Sequence, residues 1–186
     1  MREAWHRTRP YLRAAAGIFA AGVLGGTLLV LSDPDAASGA LSLLARSLSP
    51  VARRVAATGI VGRILIIWRH NLAAAGLIFA AGLTLIGPVL LLGANGSAVG
   101  LLGMDYHLAG RLSWGRFLLG LLPHGIFEIP AVLLTAALAL RLGLKVWGLG
   151  RAGASFRRDT VALAPVIVGF LLVAAILEVT VSPRML

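Results

Sequence analysis

The sequence contains no cysteine, and only 7 of its 186 residues are acidic. Without thiols there is neither a disulfide framework nor a thiolate metal site, and residue usage carries no record of a redox compartment. Charged residues of both signs make up 13% of the chain, about half the share usual in a soluble domain. Lysine is almost missing as well: of the 17 basic residues, all but Lys145 are arginine. These arginines flank apolar segments instead of forming one basic tract, so the net charge of +10 reads as membrane anchoring and not as a nucleic-acid surface. What remains is 59% hydrophobic residues with 23 glycines and a mean hydropathy of +0.92. Runs that are apolar all round need a lipid or protein environment on every side. The chain is therefore read as an all-α, polytopic integral membrane protein.

The first span is Ala14 to Leu31, AAAGIFAAGVLGGTLLVL, preceded by four arginines and followed by SDPD. It is just long enough to cross the hydrocarbon core, which takes about 20 residues. A retained helix is favoured over a cleaved signal peptide because the run exceeds a usual h-region. The positive-inside bias places the N-terminus in the cytoplasm. Gly17, Ala21 and Gly25 recur every four residues, with Gly22 and Gly26 beside them; such small-residue rows let helix backbones approach closely. From residue 36 to residue 70, leucines alternate with serines and arginines, the pattern of helices lying in the interface plane. Trp68, Arg69 and His70 then mark an interface before a second span over residues 72–92.

The next stretch, GANGSAVGLLGMD, offers turn chemistry at Asn95 and close-packing glycines at Gly96, Gly100 and Gly103. It lacks the Gly-Lys-Ser/Thr ending of a phosphate loop. Residues 93–122 are accordingly expected to be a broken or re-entrant region of short helices. Pro123 is expected in the first turn of a new helix over residues 124–143, where its missing N–H wastes no hydrogen bond. The basic stretch from Arg141 through Lys145, Arg151, Arg157 and Arg158 reads as a cytoplasmic loop, and residues 161–181 as the last span, leading to an external C-terminus. The count is about five crossings in a single domain covering residues 1–186.

Inside these runs stand a few polar residues. His124 and Glu128 lie four apart in LLPHGIFEIPAVLL, on one helical face, and Glu178 sits in the last span. An ionised carboxylate at bilayer depth costs about 2.5–3.5 kcal/mol even on a mild insertion scale, so each needs a partner, water or a proton. Three outcomes follow. The set holds helices together through mutual hydrogen bonds that include Asn71 and Asn95. It exchanges protons or binds a ligand during transport. Or His124, Glu128 and Glu178 collect a metal ion, the weakest of the three because no thiol supports it. Catalytic motifs are missing: the His-Gly-Ile-Phe-Glu run is not HExxH, and Ser97 has no Gly-x-Ser-x-Gly elbow. His107 and Asp105 beside Tyr106 read as interfacial residues near a turn. No cofactor is expected.

Three segments together, RHNLAAAGLIFAAGLTLIGPVLLLGANGSAVG, LLPHGIFEIPAVLLTAALALRLG and ILEVTVSP, resemble the stage II sporulation protein M family. The Pro-His-Gly-x-x-Glu-x-Pro-Ala run is the most specific of these. Where the family often shows two asparagines before its second helix, this chain has His70 and Asn71, so only Asn71 carries over. The resemblance implies a five-helix layout and a membrane scaffold. The sporulation member anchors a peptidoglycan-degrading pair and has no catalysis of its own, whereas most relatives come from organisms that do not sporulate. Two functions are thus expected to compete: a non-enzymatic scaffold in the cell membrane, as a homo-oligomer or with other envelope proteins, and a transporter or channel-like protein with a His/Glu site.

Overall fold

Asp33 alone separates the first two helices. In the computed structural model, which describes residues 1–149 and 155–182, α1 covers Arg2–Ser32 and α2 covers Pro34–Ala56. The Asp33 carboxylate accepts a hydrogen bond from the Ala36 N–H at 2.9 Å, and Pro34 occupies the first turn of α2. Both features are those of a helix start. At its other end α2 carries Arg53 and Arg54 in the last turn, where cations suit the helix dipole. Only Ala37 of α2 is buried, so α2 packs on the bundle through its start and is otherwise uncovered by protein.

The remaining helices are α3 (Ile60–Ala81), α4 (Gly87–Leu108), α5 (Trp114–Val146) and α6 (Phe156–Thr180), with a single 3-10 turn at Gly82–Thr84 after α3. Five helices, all but α2, are long and apolar enough to cross a membrane. Their boundaries differ from those read off the sequence in three places. Residues 60–70, expected on the membrane surface, form the first half of α3, where the Trp68 indole N–H donates to the Val168 carbonyl of α6 at 3.3 Å. The chain then breaks at residues 82–86, inside the expected second span, and Gly87-Pro88 opens α4 instead of loosening the end of an earlier helix. Thr84 Oγ1 accepts from the Gly87 N–H at 3.0 Å there. Leu85 takes a left-handed φ of 60° in this turn, at a cost of about 1–3 kcal/mol.

The third difference concerns the prolines of the opening motif. α5 is one helix of 33 residues that carries both Pro123 and Pro130 in its interior, so Pro123 does not start a new helix. Neighbouring helices in a bundle can satisfy the carbonyls that an internal proline frees, which is why spans tolerate it. Asn95 and the glycines around it belong to the middle of α4 and not to a turn. The interruption within residues 93–122 is confined to 109–113, where Gly110 has a φ of +65° and Ser113 caps α5. Arg151 and Pro183 lie outside the described residues.

The core of the bundle is α5. From Ala131 to Ala139 it is buried almost without a break, save for half-covered Leu133. Alanine, leucine, one valine and one threonine fill this stretch, and Thr135 satisfies its hydroxyl on the Ala131 carbonyl at 2.8 Å. Small side chains let α1, α3 and α6 close around it. The tightest seam joins α1 to α4. Gly22 and Gly26 face the backbone of Gly93 and Ser97, while Gly96 and Gly100 face Phe19 and Val23, with no room for a Cβ at any of the four. Ser97 Oγ donates across the seam to the Gly22 carbonyl at 3.1 Å. These pairings run in the same chain direction, so α1 and α4 are parallel.

Candidate functional site

Two polar clusters lie in the bundle, near opposite ends of α5 and α6. The first contains the residues singled out in the sequence. His124 on α5 does not bond to Glu128; its Nδ1 lies 2.9 Å from the Ser182 hydroxyl just beyond α6. That hydroxyl donates to the Leu177 carbonyl at 3.5 Å. The arrangement assigns the ring hydrogen to Nδ1 as donor to Ser182 and leaves Nε2 as an acceptor. One turn along α5 is Glu128, and Glu178 belongs to α6, the helix packed against α5. Both are partly buried, and among the described residues neither forms an ion pair.

Asn71 does not join this group. The Trp68–Val168 hydrogen bond and the Phe79–Phe156 stack, 6.5 Å between ring centroids, set α3 antiparallel to α6. Asn71 falls between those two levels, roughly three helical turns from Glu178. Its Nδ2 is buried with no hydrogen-bond partner, which makes it a separate polar feature. Asn95 is exposed and bonds back to its own helix, Nδ2 donating to the Leu91 carbonyl at 2.9 Å. Of the small residues expected to pack, Gly96 and Gly100 lie in the α1–α4 seam, whereas Gly17 and Gly25 have nothing within 4 Å of a modest side chain and Ala21 is exposed beside them. The seam uses the neighbouring Gly22–Gly26 row. Among the described residues no three His, Asp or Glu side chains are grouped as ligands for one metal ion.

The second cluster escaped the sequence reading. Arg141, taken there as a membrane-flanking cation, is 3% exposed, and Asp159 is 1% exposed. Arg141 donates to Asp159 Oδ2 at 2.9 Å and to the buried Thr8 hydroxyl at 2.7 Å. Arg7 closes the other side of the carboxylate with two bonds, Nε to Oδ2 at 2.9 Å and a terminal nitrogen to Oδ1 at 2.8 Å. The bidentate fork is the strong geometry for arginine and carboxylate. The Arg141 guanidinium also lies over the rings of Tyr11 and Phe156, and the Lys145 ammonium is 5.5 Å from the Phe156 centroid. This network ties α1, α5 and α6 together. The available signal was Asp159 itself, a lone acid in a basic stretch, placed in the first turn of α6 where a helix favours negative charge.

Five helices long and apolar enough to cross a membrane, among the six helices of the described residues, define the class: a multi-pass helical membrane protein. Residues 15–183 match the family described as Stage II sporulation protein M, and the chain belongs to that family. No curated protein and no solved structure matches the chain.

Proposed function

We propose that the protein is a non-enzymatic scaffold or complex subunit of the cell membrane, with a cytoplasmic N-terminus and an external C-terminus, that assembles through the outer face of α1. One observation carries this reading. A span holds two parallel small-residue rows; Gly22 and Gly26 are consumed by α4, while Gly17, Ala21 and Gly25 present an equally shaped row outward with nothing against it. Lipid gains little from such a row, but another helix packs closely on it. Asn95, a polar side chain in mid-span on α4, is exposed as well and would be better satisfied in a protein interface. The family resemblance extends the reading to envelope partners. A subunit that anchors peptidoglycan-remodelling enzymes needs helix surfaces and no reaction centre or cofactor.

Because the chain has no native cysteine, single-cysteine variants test this in membranes. Gly17→Cys and Gly25→Cys should cross-link to a second copy or to an envelope protein, and Leu65→Cys on the exposed side of α3 should not. Cross-linking no stronger on α1 than on α3 would sink the proposal.

A transport reading is favoured by a different observation: Glu128 and Glu178, half-buried on the packed helices α5 and α6, form no ion pair among the described residues, and His124 on the same end of α5 bonds to Ser182 instead of to either acid. Such groups in spans commonly serve proton or ion pathways. Glu128→Gln keeps shape and hydrogen bonding while removing the charge. In reconstituted vesicles it should leave assembly intact under both readings, and a proton or cation flux abolished by it would make transport the correct one.

A further inference from the structure

The outward side of the bundle between α1 and α6 is not filled by protein. A groove of about 520 Å³ runs there over the Pro130–Leu134 face of α5, walled by Leu12 and Ala16 on one side and by Val166 and Phe170 on the other. A second hollow of about 500 Å³, lined by Arg2, His6, Leu163 and Val166, continues it toward the N-terminal end of α1, and Trp5 borders both. Apart from Trp5, the wall of the first groove has one polar side chain, Arg13.

Arg13 stands at a boundary. It is the last charged residue before the apolar run that begins at Ala14, at the same end of the bundle as the Arg7–Asp159–Arg141 network. Arg7 and Arg141 are committed to Asp159, but among the described residues Arg2 and Arg13 form no ion pair, and both are exposed. Trp5, 45% exposed, borders both hollows, so its indole reports on what fills them. The combination is an apolar trough ending at unneutralised cations.

We propose that this groove is a specific site for an anionic phospholipid, with one acyl chain lying between α1 and α6 over Pro130–Leu134 and the phosphate held by Arg13. The apolar walls of the groove suit an acyl chain, and its single cation, Arg13, suits the headgroup. Charge favours an anionic lipid over a zwitterionic one, since a phosphate with no compensating ammonium neutralises the basic side chains at the rim. Of the α1 residues in the site, Leu12 and Ala16 lie to one side of Gly17, Ala21 and Gly25, whereas Arg13 continues that row by one four-residue step. Ala16 is therefore the position at which the lipid site is tested separately from the assembly proposal.

The test places the full chain in nanodiscs of phosphatidylcholine doped with either brominated phosphatidylglycerol or brominated phosphatidylcholine. The contribution of Trp5 is isolated by subtracting the fluorescence of Trp5→Phe. Brominated phosphatidylglycerol should quench Trp5 at severalfold lower mole fraction than brominated phosphatidylcholine. Arg13→Gln should reduce that preference about fivefold, the factor contributed by one basic side chain at an anionic surface, whereas Arg13→Lys should keep it. Ala16→Trp, which fills the trough, should abolish retention of phosphatidylglycerol in native mass spectrometry without changing the melting temperature. Equal quenching by the two lipids in the unaltered chain would overturn the site, as would strong disulfide cross-linking between two copies carrying Ala16→Cys.

Discussion

The polar cluster around Asp159 and the one around Glu128 use similar residues with opposite results. Around Asp159 each carboxylate oxygen is met by guanidinium hydrogens, and Arg141 spends its remaining capacity on Thr8 and on two aromatic rings. Around Glu128 the hydrogen bonds run from His124 to Ser182 and from Ser182 to the Leu177 carbonyl, and bypass both acids. The first arrangement is closed. It satisfies the buried carboxylate completely and fixes where α1, α5 and α6 meet. The second leaves two carboxyls and a ring nitrogen uncommitted, so it stabilises the fold less and is the more open to a proton, an ion or a partner. A motif that stands out in a sequence need not be the one that holds the protein together.

The comparison can be broken most directly at Arg141. Arg141→Ala should cost about 3–5 kcal/mol, because it leaves a buried carboxylate half compensated. Denaturant or thermal unfolding in detergent would read this, and a loss below about 1 kcal/mol, a surface pair's worth, would show that the network is no lock. The double variant Arg141→Met with Asp159→Leu should recover most of the loss, since apolar packing can replace a buried ion pair. Next in size is the contrast between the two glycine rows. Gly26→Leu drives a side chain into the Ser97 backbone and should destabilise by about 1–3 kcal/mol. Gly25→Leu meets nothing and should stay within about 0.5 kcal/mol of the unaltered chain, while weakening any cross-linking through α1. The smallest effect belongs to the opening motif: Ser182→Ala should cost about 1 kcal/mol, one hydrogen bond, and should alter the histidine nitrogen shifts in NMR as Nδ1 loses its acceptor.

Hydrophobic length was the legible part of the sequence. The run at residues 14–31 falls within α1, the run at 161–181 coincides with α6 up to Thr180, and of the leucine-patterned segment 36–70 the part to residue 56 forms α2. Breaks were less legible. In water, Asn95-Gly96 signals a turn and Pro123 a helix end; inside a bundle the glycines serve helix approach, and neighbouring helices tolerate the proline. Trp68 and Arg69 read as an interface because composition does not reveal that α6 offers a carbonyl to the indole. For the polar set, pattern reading found His124, Glu128 and Glu178 but gave the histidine the wrong partner, since Ser182 is distant in sequence.

The amino-acid sequence by itself determined that this chain lives in a membrane, that it is helical, that it carries about five spans, and that its family mark is the Pro-His-Gly-x-x-Glu run. Those properties follow from local quantities: apolar length, periodicity and the cost of an exposed backbone in lipid. Tertiary structure alone decided which of two identical-looking glycine rows faces α4, which arginine is buried and which is exposed, and that His124 bonds to Ser182. Each of those depends on what a second helix places opposite, and no spacing within one helix encodes it.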